Sequence, residues 1–405
     1  MPSYLADLLY LRSSGTPSSA NQSVSIPLSN LTFHPQRGKA YIYVFKVYIL
    51  VRFFSYIQNF NLFTIMKKLS LLFVSLIINV SVSTAHEGPW TSARPDGHAP
   101  ISVMGDHMHA MGEWMVSYRY MSMDMEGLLN GSSNVSSDSQ LGTMMMPGDY
   151  DMVPLDMKMD MHMFGTMYAI SDKWTLMGMI NYLDNEMTMQ SRMMTMSSES
   201  SGIGDVKIAG LYDLARWNDG RRVHLKLGLN LPSGSIEEKD SMSRILGYGM
   251  QLGSGTYDFE PAITYLGQTE NYSYGAQLGG ILRIGENDQD YTLGNKFEAS
   301  LWGARKITES LSASAKFDYS TQSDIDGSDS RLDARNMMMA SPGFQGASQG
   351  RDITTLGLGL NYYFQDGGLK GHRIAAEWET PLDQKVNGVQ LELDSTWTLG
   401  WQYAW

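Results

Sequence analysis

The sequence predicts an all-β protein: a closed antiparallel transmembrane β-barrel of about twelve strands, preceded by a signal peptide and a short periplasmic Met/His-rich segment. Three observations carry that expectation. Runs of roughly ten residues alternate in polarity from about Gly112 onward, short and long connections alternate between them, and the last run ends on an aromatic residue. Composition agrees, since 40 Gly with 9 Trp, 22 Tyr and 13 Phe favour short strands with tight turns, and 18% charged residues is below the usual quarter. There is no cysteine, which excludes disulfide scaffolds, CxxC redox motifs and thiolate zinc sites. A net charge of -12 without a Lys/Arg cluster argues against a nucleic-acid partner.

In chain order, residues 1–65 read as an upstream extension, with the true start at Met66. The rival reading is an inner-membrane helix over Tyr41 to Ile65, an apolar stretch that carries Lys46 and Arg52. Residues 66–85 read as a secretory signal. Lys67 and Lys68 form its positive start, Leu69 to Val82 its apolar stretch, and Ser83-Thr84-Ala85 the small residues before cleavage at His86. Residues 1–85 hold seven basic and one acidic residue, so their removal takes the net charge to -18. Residues 86–111 form the Met/His-rich segment, and 112–405 the barrel.

The strands are expected near 113–125, 157–170, 174–189, 202–214, 222–231, 256–266, 272–284, 291–304, 311–319, 353–364, 372–380 and 390–405. In 222–231, Val223, Leu225, Leu227, Leu229 and Leu231 alternate with Arg222, His224, Lys226, Gly228 and Asn230, which gives one apolar and one polar face. Long connections follow the first, third, fifth and ninth strands, and short ones follow the even-numbered strands through the tenth. This places the long loops together on the outer side.

The final strand sets Leu391, Leu393, Trp397, Leu399, Trp401, Tyr403 and Trp405 on one face and Gln390, Glu392, Asp394, Thr396, Thr398 and Gln402 on the other. The first group is expected to face lipid. The lumen then holds charges of both signs, among them Arg119, Asp205, Asp258, Lys316, Glu377 and Glu379, which either pair across a narrow interior or line a wet path.

Ser201-Gly202-Ile203-Gly204-Asp205-Val206, Leu231-Pro232-Ser233-Gly234 and Gly253-Ser254-Gly255-Thr256-Tyr257-Asp258 resemble, in order and spacing, the outer-membrane transporter barrels of the MetA-pathway of phenol degradation family. The resemblance covers roughly residues 112–405. It implies uptake of an aromatic or other hydrophobic compound and assigns no ligand-contact residue.

Methionine is the anomaly, with 23 of 30 lying between Met104 and Met196. Thioether sulfur prefers Cu(I) or similar soft ions, and imidazole adds a harder donor. His86, His98, Met104, His107, Met108, His109 and Met111 are therefore candidate ligands for copper or silver. So are Met121, Met123 and Met125, which the alternation of the first strand turns towards the lumen. In the second strand Met157, Met159, Met161, Met163 and Met167 oppose Lys158, Asp160 and His162, so that methionine face is expected towards lipid.

No GxSxG, HExxH or P-loop is present, and His162, His224 and His372 are the histidines of the barrel region. The chain is therefore expected to be no enzyme. It reads as an outer-membrane transporter or channel for a small solute, in contact with outer-membrane lipid. The alternative is a copper- or silver-handling outer-membrane protein.

Overall fold

The computed structural model describes residues 90–142 and 149–405 except 338–339, with the backbone alone for 334–337. Residues 1–65, the signal at 66–85, His86 and the triplet Met144 to Met146 lie outside the described residues. Twelve antiparallel strands close into one barrel. They are β1 (Trp114–Gly131), β2 (Met152–Ser171), β3 (Trp174–Ser191), β4 in two pieces (Thr195–Ile203 and Val206–Arg216), β5 (Arg222–Leu231) and β6 (Tyr257–Gln268). There follow β7 (Tyr272–Ile284), β8 (Lys296–Lys306), β9 (Leu311–Gln322) and β10 (Arg351–Tyr363). The last extended element, His372–Ala404, pairs with β10 through 373–386 and with β1 through 386–404. It therefore doubles back near Gly388, where φ is +67°, and supplies β11 (372–386) and β12 (389–404).

Neighbours in sequence are neighbours in the wall, and β12 closes on β1 with Met115 opposite Ala404 and Met123 opposite Thr396. The amides of Trp114 and Trp405 each donate to the other's carbonyl, at 2.9 and 3.0 Å. Closure pairs the strands round the wall, as hydrocarbon requires, while Thr195–Ile203 on the long-loop side pairs with β3 alone. The eighth strand begins at Lys296, later than its alternation suggests, because Tyr291–Thr292 pairs with Asp326–Gly327 between two loops.

The outward face is apolar from Trp114 and Trp174 up to Tyr182, and turns polar beyond it at Ser122, Asp160, Asp184 and Glu186. The wall thus extends past the lipid belt on the long-loop side. This overturns the expected facing of the β2 methionines. Met157, Met163 and Met167 are buried, and register sets Met167 beside Met115 and Met177, and Met157 beside Met125 and Met187, all on the lumen face. Lys158, Asp160 and His162 point outward, where His162 and Asp160 accept or share hydrogen bonds with the hydroxyls of Tyr118 (2.8 Å) and Tyr120 (2.9 Å). Their polarity reports water above the belt and not a lumen.

A second correction concerns β12. Between Asp124 and Met125 of β1 the pairing jumps from Ser395 to Leu393. This bulge reverses the alternation. Leu391 and Leu393 therefore turn inward and are buried, while Asp394 is exposed on the outside.

Apolar residues of the long loops cover the long-loop mouth. Leu141, Tyr150, Leu246 and Met250 share one cluster with Met125, Met157, Ile353, Leu391 and Leu393. Beside it, Ile245, Tyr248, Tyr291, Ile325, Leu332 and Phe344 form another.

Candidate functional site: a plugged lumen with a buried histidine cluster

The segment expected to lie in the periplasm is seated inside the barrel. From Trp90 to Met111 it has no helix or strand, so its amides and carbonyls need partners from elsewhere. Wall side chains supply them. Gln268 accepts from the Thr91 amide (3.0 Å) and donates to its carbonyl (3.2 Å), and Ser312 donates to the Pro95 carbonyl (2.8 Å). Arg373 donates to the Ala99 carbonyl (2.8 Å), Glu377 accepts from the Ser102 amide (2.9 Å), and Gln277 donates to the Met104 carbonyl (3.2 Å). His224 donates through Nε2 to the Gly105 carbonyl (2.8 Å), and Thr175 accepts from the His109 amide (3.3 Å).

Apolar contacts add to these. Trp90 and Val103 pack with Leu266 and Trp302, Met108 packs with Met115, Met167 and Leu211, and Ile101 lies over Gly400. The lumen charges pair across the interior. Lys316 Nζ lies 2.7 Å from Asp318, 2.9 Å from Glu379 and 3.1 Å from Glu377, and it also reaches the Ser102 hydroxyl. Lys207 and Lys226 both face Glu260, at 2.7 and 3.7 Å.

Within the plug, His98, His107 and His109 come together with Asp106, all at most 7% exposed. Ring centroids are 4.3 Å apart for His98 and His107 and 4.8 Å for His107 and His109. His107 Nδ1 lies 2.9 Å from Asp106 Oδ1, and the other carboxylate oxygen accepts from the Ala99 amide at 3.0 Å. One donor atom from each of His98, Asp106 and His107 lies within 4.8 Å of the others. Burial holds His98 well below the usual histidine range, helped by His107 and Arg373, and burial with His107 carries His109 down to about 3. Burial opposes ionisation of Asp106, but His107 and His98 outweigh it and keep its carboxyl well below the usual range. His98 and His109 are thus held neutral beside the Asp106 carboxylate.

The other sequence candidates are distributed differently. Met104 lines a small internal pocket with Asp106, Met115, Arg119, Met167, Met177 and Met179. Met108 is buried against Met115, Met167 and Leu211, whereas Met111 is 66% exposed at the short-turn mouth. Met121, Met123 and Met125 do face the lumen, but in its long-loop half, where Met123 and Met125 belong to the capping cluster. Sequence reasoning missed Asp106, although it directly precedes His107, and the wall methionines of β2 and β3.

The three turn-like motifs form one hydrogen-bonded knot. Asp205 accepts from the Gly234 amide, the Ser254 amide and the Ser254 hydroxyl, each at 2.9 Å. Ser233 accepts from the Val206 amide (2.8 Å) and donates to the Gly204 carbonyl (3.1 Å), and Thr256 donates to Asp258 at 2.7 Å. A β-carbon on Gly253 would stand 2.4 Å from the Gly234 carbonyl oxygen, so these two backbones cross at a distance that only glycine allows. The knot ties the break within β4 to the end of β5 and the start of β6, below the cap.

The barrel histidines have partners of their own. His162 meets the Tyr118 hydroxyl, His224 the Gly105 carbonyl, and His372 the Trp401 indole at 2.9 Å.

Among solved structures, the chain is similar to an outer membrane channel from Pseudomonas putida F1, at 12% identity and a TM-score of 0.55, covering 75% of this chain and 99% of that one. A Pseudomonas aeruginosa FadL homologue matches at 10% identity and a TM-score of 0.34, covering 78% and 95%. The KdgM porin matches at 9% identity and 0.34, covering 71% and 98%. The first shows the fold, an outer-membrane β-barrel. No curated protein matches. A family model matches residues 155–389, more than half of the sequence, and the chain therefore belongs to the family described as "Putative MetA-pathway of phenol degradation".

Proposed function

We propose that the protein is an outer-membrane transporter for a small solute, exported with signal cleavage near Ala85/His86, that moves its solute without covalent chemistry and is gated by residues 90–111. One observation carries the reading: the plug is held largely by single hydrogen bonds from wall side chains, each of which water can replace. Such bonds contribute about 1 kcal/mol each in net terms, so the plug can be displaced while the barrel stays closed. By the orientation usual in such barrels, it would be displaced from the periplasmic side, where the short turns lie.

A locked plug tests this. A β-carbon built on Gly400 stands 2.5 Å from Cγ1 of Ile101, so paired cysteines here meet the spacing of about 3.8 Å between β-carbons that a disulfide takes. The chain has no other cysteine to interfere. In planar bilayers, Ile101→Cys/Gly400→Cys is expected to conduct when reduced and to fall silent when oxidised. Equal current in both states would refute gating by the plug.

A second reading, a copper- or silver-handling barrel, is favoured by the buried imidazole cluster beside thioethers.

A further inference from the structure

The histidine cluster has a property that packing does not explain. Nδ1 of His98, Nε2 of His107 and Nε2 of His109 are buried without a hydrogen-bond partner among the described residues. Each buried polar atom left unpaired costs about 1–3 kcal/mol. Three in contacting rings, on a segment that water-replaceable bonds hold in place, are a standing penalty unless something binds them. His98 Nδ1 is 3.7 Å from Asp106 Oδ2, beyond hydrogen-bond distance. Asp106 instead engages His107 through Nδ1 and leaves Nε2 as a lone pair facing the protein interior. A carboxylate that orients an imidazole through one nitrogen while the other stays free is the arrangement by which proteins prepare a histidine for a metal.

The surroundings select the ion. No thiolate is available, Asp106 is the buried carboxylate of the cluster while the partly exposed Glu113 lies 3.5 Å from His109 Nδ1 on its outer side, and thioethers line the adjoining pocket. Met108 lies between two of the histidines in sequence, and Met104 shares a pocket with Asp106, Arg119, Met115, Met167, Met177 and Met179. Thioether and imidazole donors together suit soft d10 ions, whereas hard divalent ions want oxygen. From that pocket the lumen face of β1 to β3 continues in thioethers towards the long-loop mouth, with Met121 beside Met161, Met123 beside Met159, and Met157 beside Met187.

We propose that His98, His107 and His109, oriented by Asp106 and backed by Met104 and Met108, bind a soft monovalent cation of the Cu(I)/Ag(I) class. The thioether wall is the approach to that site from the long-loop mouth. On binding, the rings turn their free nitrogens onto one ion. The proposal rests on the metal-handling reading. Its test is a binding measurement on an isolated protein, so the transport reading stands or fails separately.

The test is equilibrium dialysis of Ag(I) against the folded full chain in chloride-free, thiol-free detergent solution, with Zn(II) as the competing arm. One tight Ag(I) per chain is expected, not displaced by equimolar Zn(II). Asp106→Asn keeps an oxygen for the Ala99 amide and so keeps the plug seated, and is expected to weaken that site by about 10–100-fold. His98→Ala/His107→Ala/His109→Ala is expected to lose it. Met157→Leu/Met159→Leu/Met187→Leu, on the approach, is expected to slow uptake while leaving the tight site intact. Because the triple histidine variant could unseat the plug, X-ray absorption at the silver edge on the unaltered protein gives a second readout, with nitrogen and sulfur neighbours expected together. Sulfur alone, no tight site, displacement by Zn(II), or unchanged binding in Asp106→Asn and the histidine variant would each overturn the proposal.

Discussion

Replacing Lys316 with Met removes one charge and little volume from the most crowded ionic site of the lumen. Its ammonium meets three carboxylates between 2.7 and 3.1 Å, and the side chains of Lys316 and Glu377 are 4% and 0% exposed. At an effective dielectric of 20, each unit pair at about 3 Å is worth roughly 5.5 kcal/mol before desolvation. Desolvation offsets most of that while the cluster is intact. When one partner is deleted, the remaining charges stay buried without compensation, and such a deletion costs about 3–5 kcal/mol. Glu377 also holds the Ser102 amide, and Lys316 reaches the Ser102 hydroxyl, so part of the loss falls on the plug. Urea unfolding in lipid vesicles, read by tryptophan fluorescence and by heat-modifiable gel mobility, is expected to show the loss in Lys316→Met. More than half is expected to return in Lys316→Met/Glu377→Gln/Glu379→Gln, where the two more buried carboxylates are neutralised as well and only Asp318, the most exposed of the three, stays charged. A single variant within about 0.5 kcal/mol of the parent, or a triple variant no better than the single, would refute the account.

Three further outcomes follow from other sites. Gly105 has φ of +67° with Lys226 against it, so Gly105→Val costs at least about 1–2 kcal/mol locally; limited proteolysis should cut the plug sooner while the barrel's heat-modifiable mobility is unchanged. Asp205→Ala leaves the buried amides of Gly234 and Ser254 without their acceptor, at about 1–3 kcal/mol each. Its urea midpoint should fall, and Asp205→Asn, which keeps one acceptor oxygen, should fall less. Deleting residues 92–109 removes the body of the plug, and single-channel recording should then show a larger and steadier current than the parent gives.

Strand positions were legible because alternation is a local property. The runs at β5 and β10 alternate without a break, and the structure has strands there with the expected faces, for example His224, Lys226 and Asn230 inward and Leu227 outward. Facing failed where a local rule met a distant fact. In β2 the alternation alone reads the polar residues as facing a water-filled interior, but they stand above the lipid belt, and the interior at that height is lined by methionine. In β12 one bulge, set by pairing with β1, reversed Leu391, Leu393 and Asp394. The plug was the least legible feature. Its Met/His pattern identified the residues, yet the bonds that seat it join positions far apart in the chain, such as Ala99 with Arg373, and no periodicity encodes them.

The path of the plug has a mechanical consequence. Trp90 lies under the guanidinium of Arg222, near the short turns, the segment rises to Gly105 beside Lys226, and it returns to the same mouth to enter β1 at Trp114. Entry and exit share one opening, so the segment is a loop pushed into the barrel and not a thread drawn through it. Tension on the residues before Trp90 would load the wall bonds one after another, from Gln268 inward, as a zipper does, and not all at once in shear. Each step then loads one wall bond and the apolar packing around it, while the barrel strands, loaded side by side, stay closed. Under the gating proposed above, the pull that opens the barrel comes from the short-turn side.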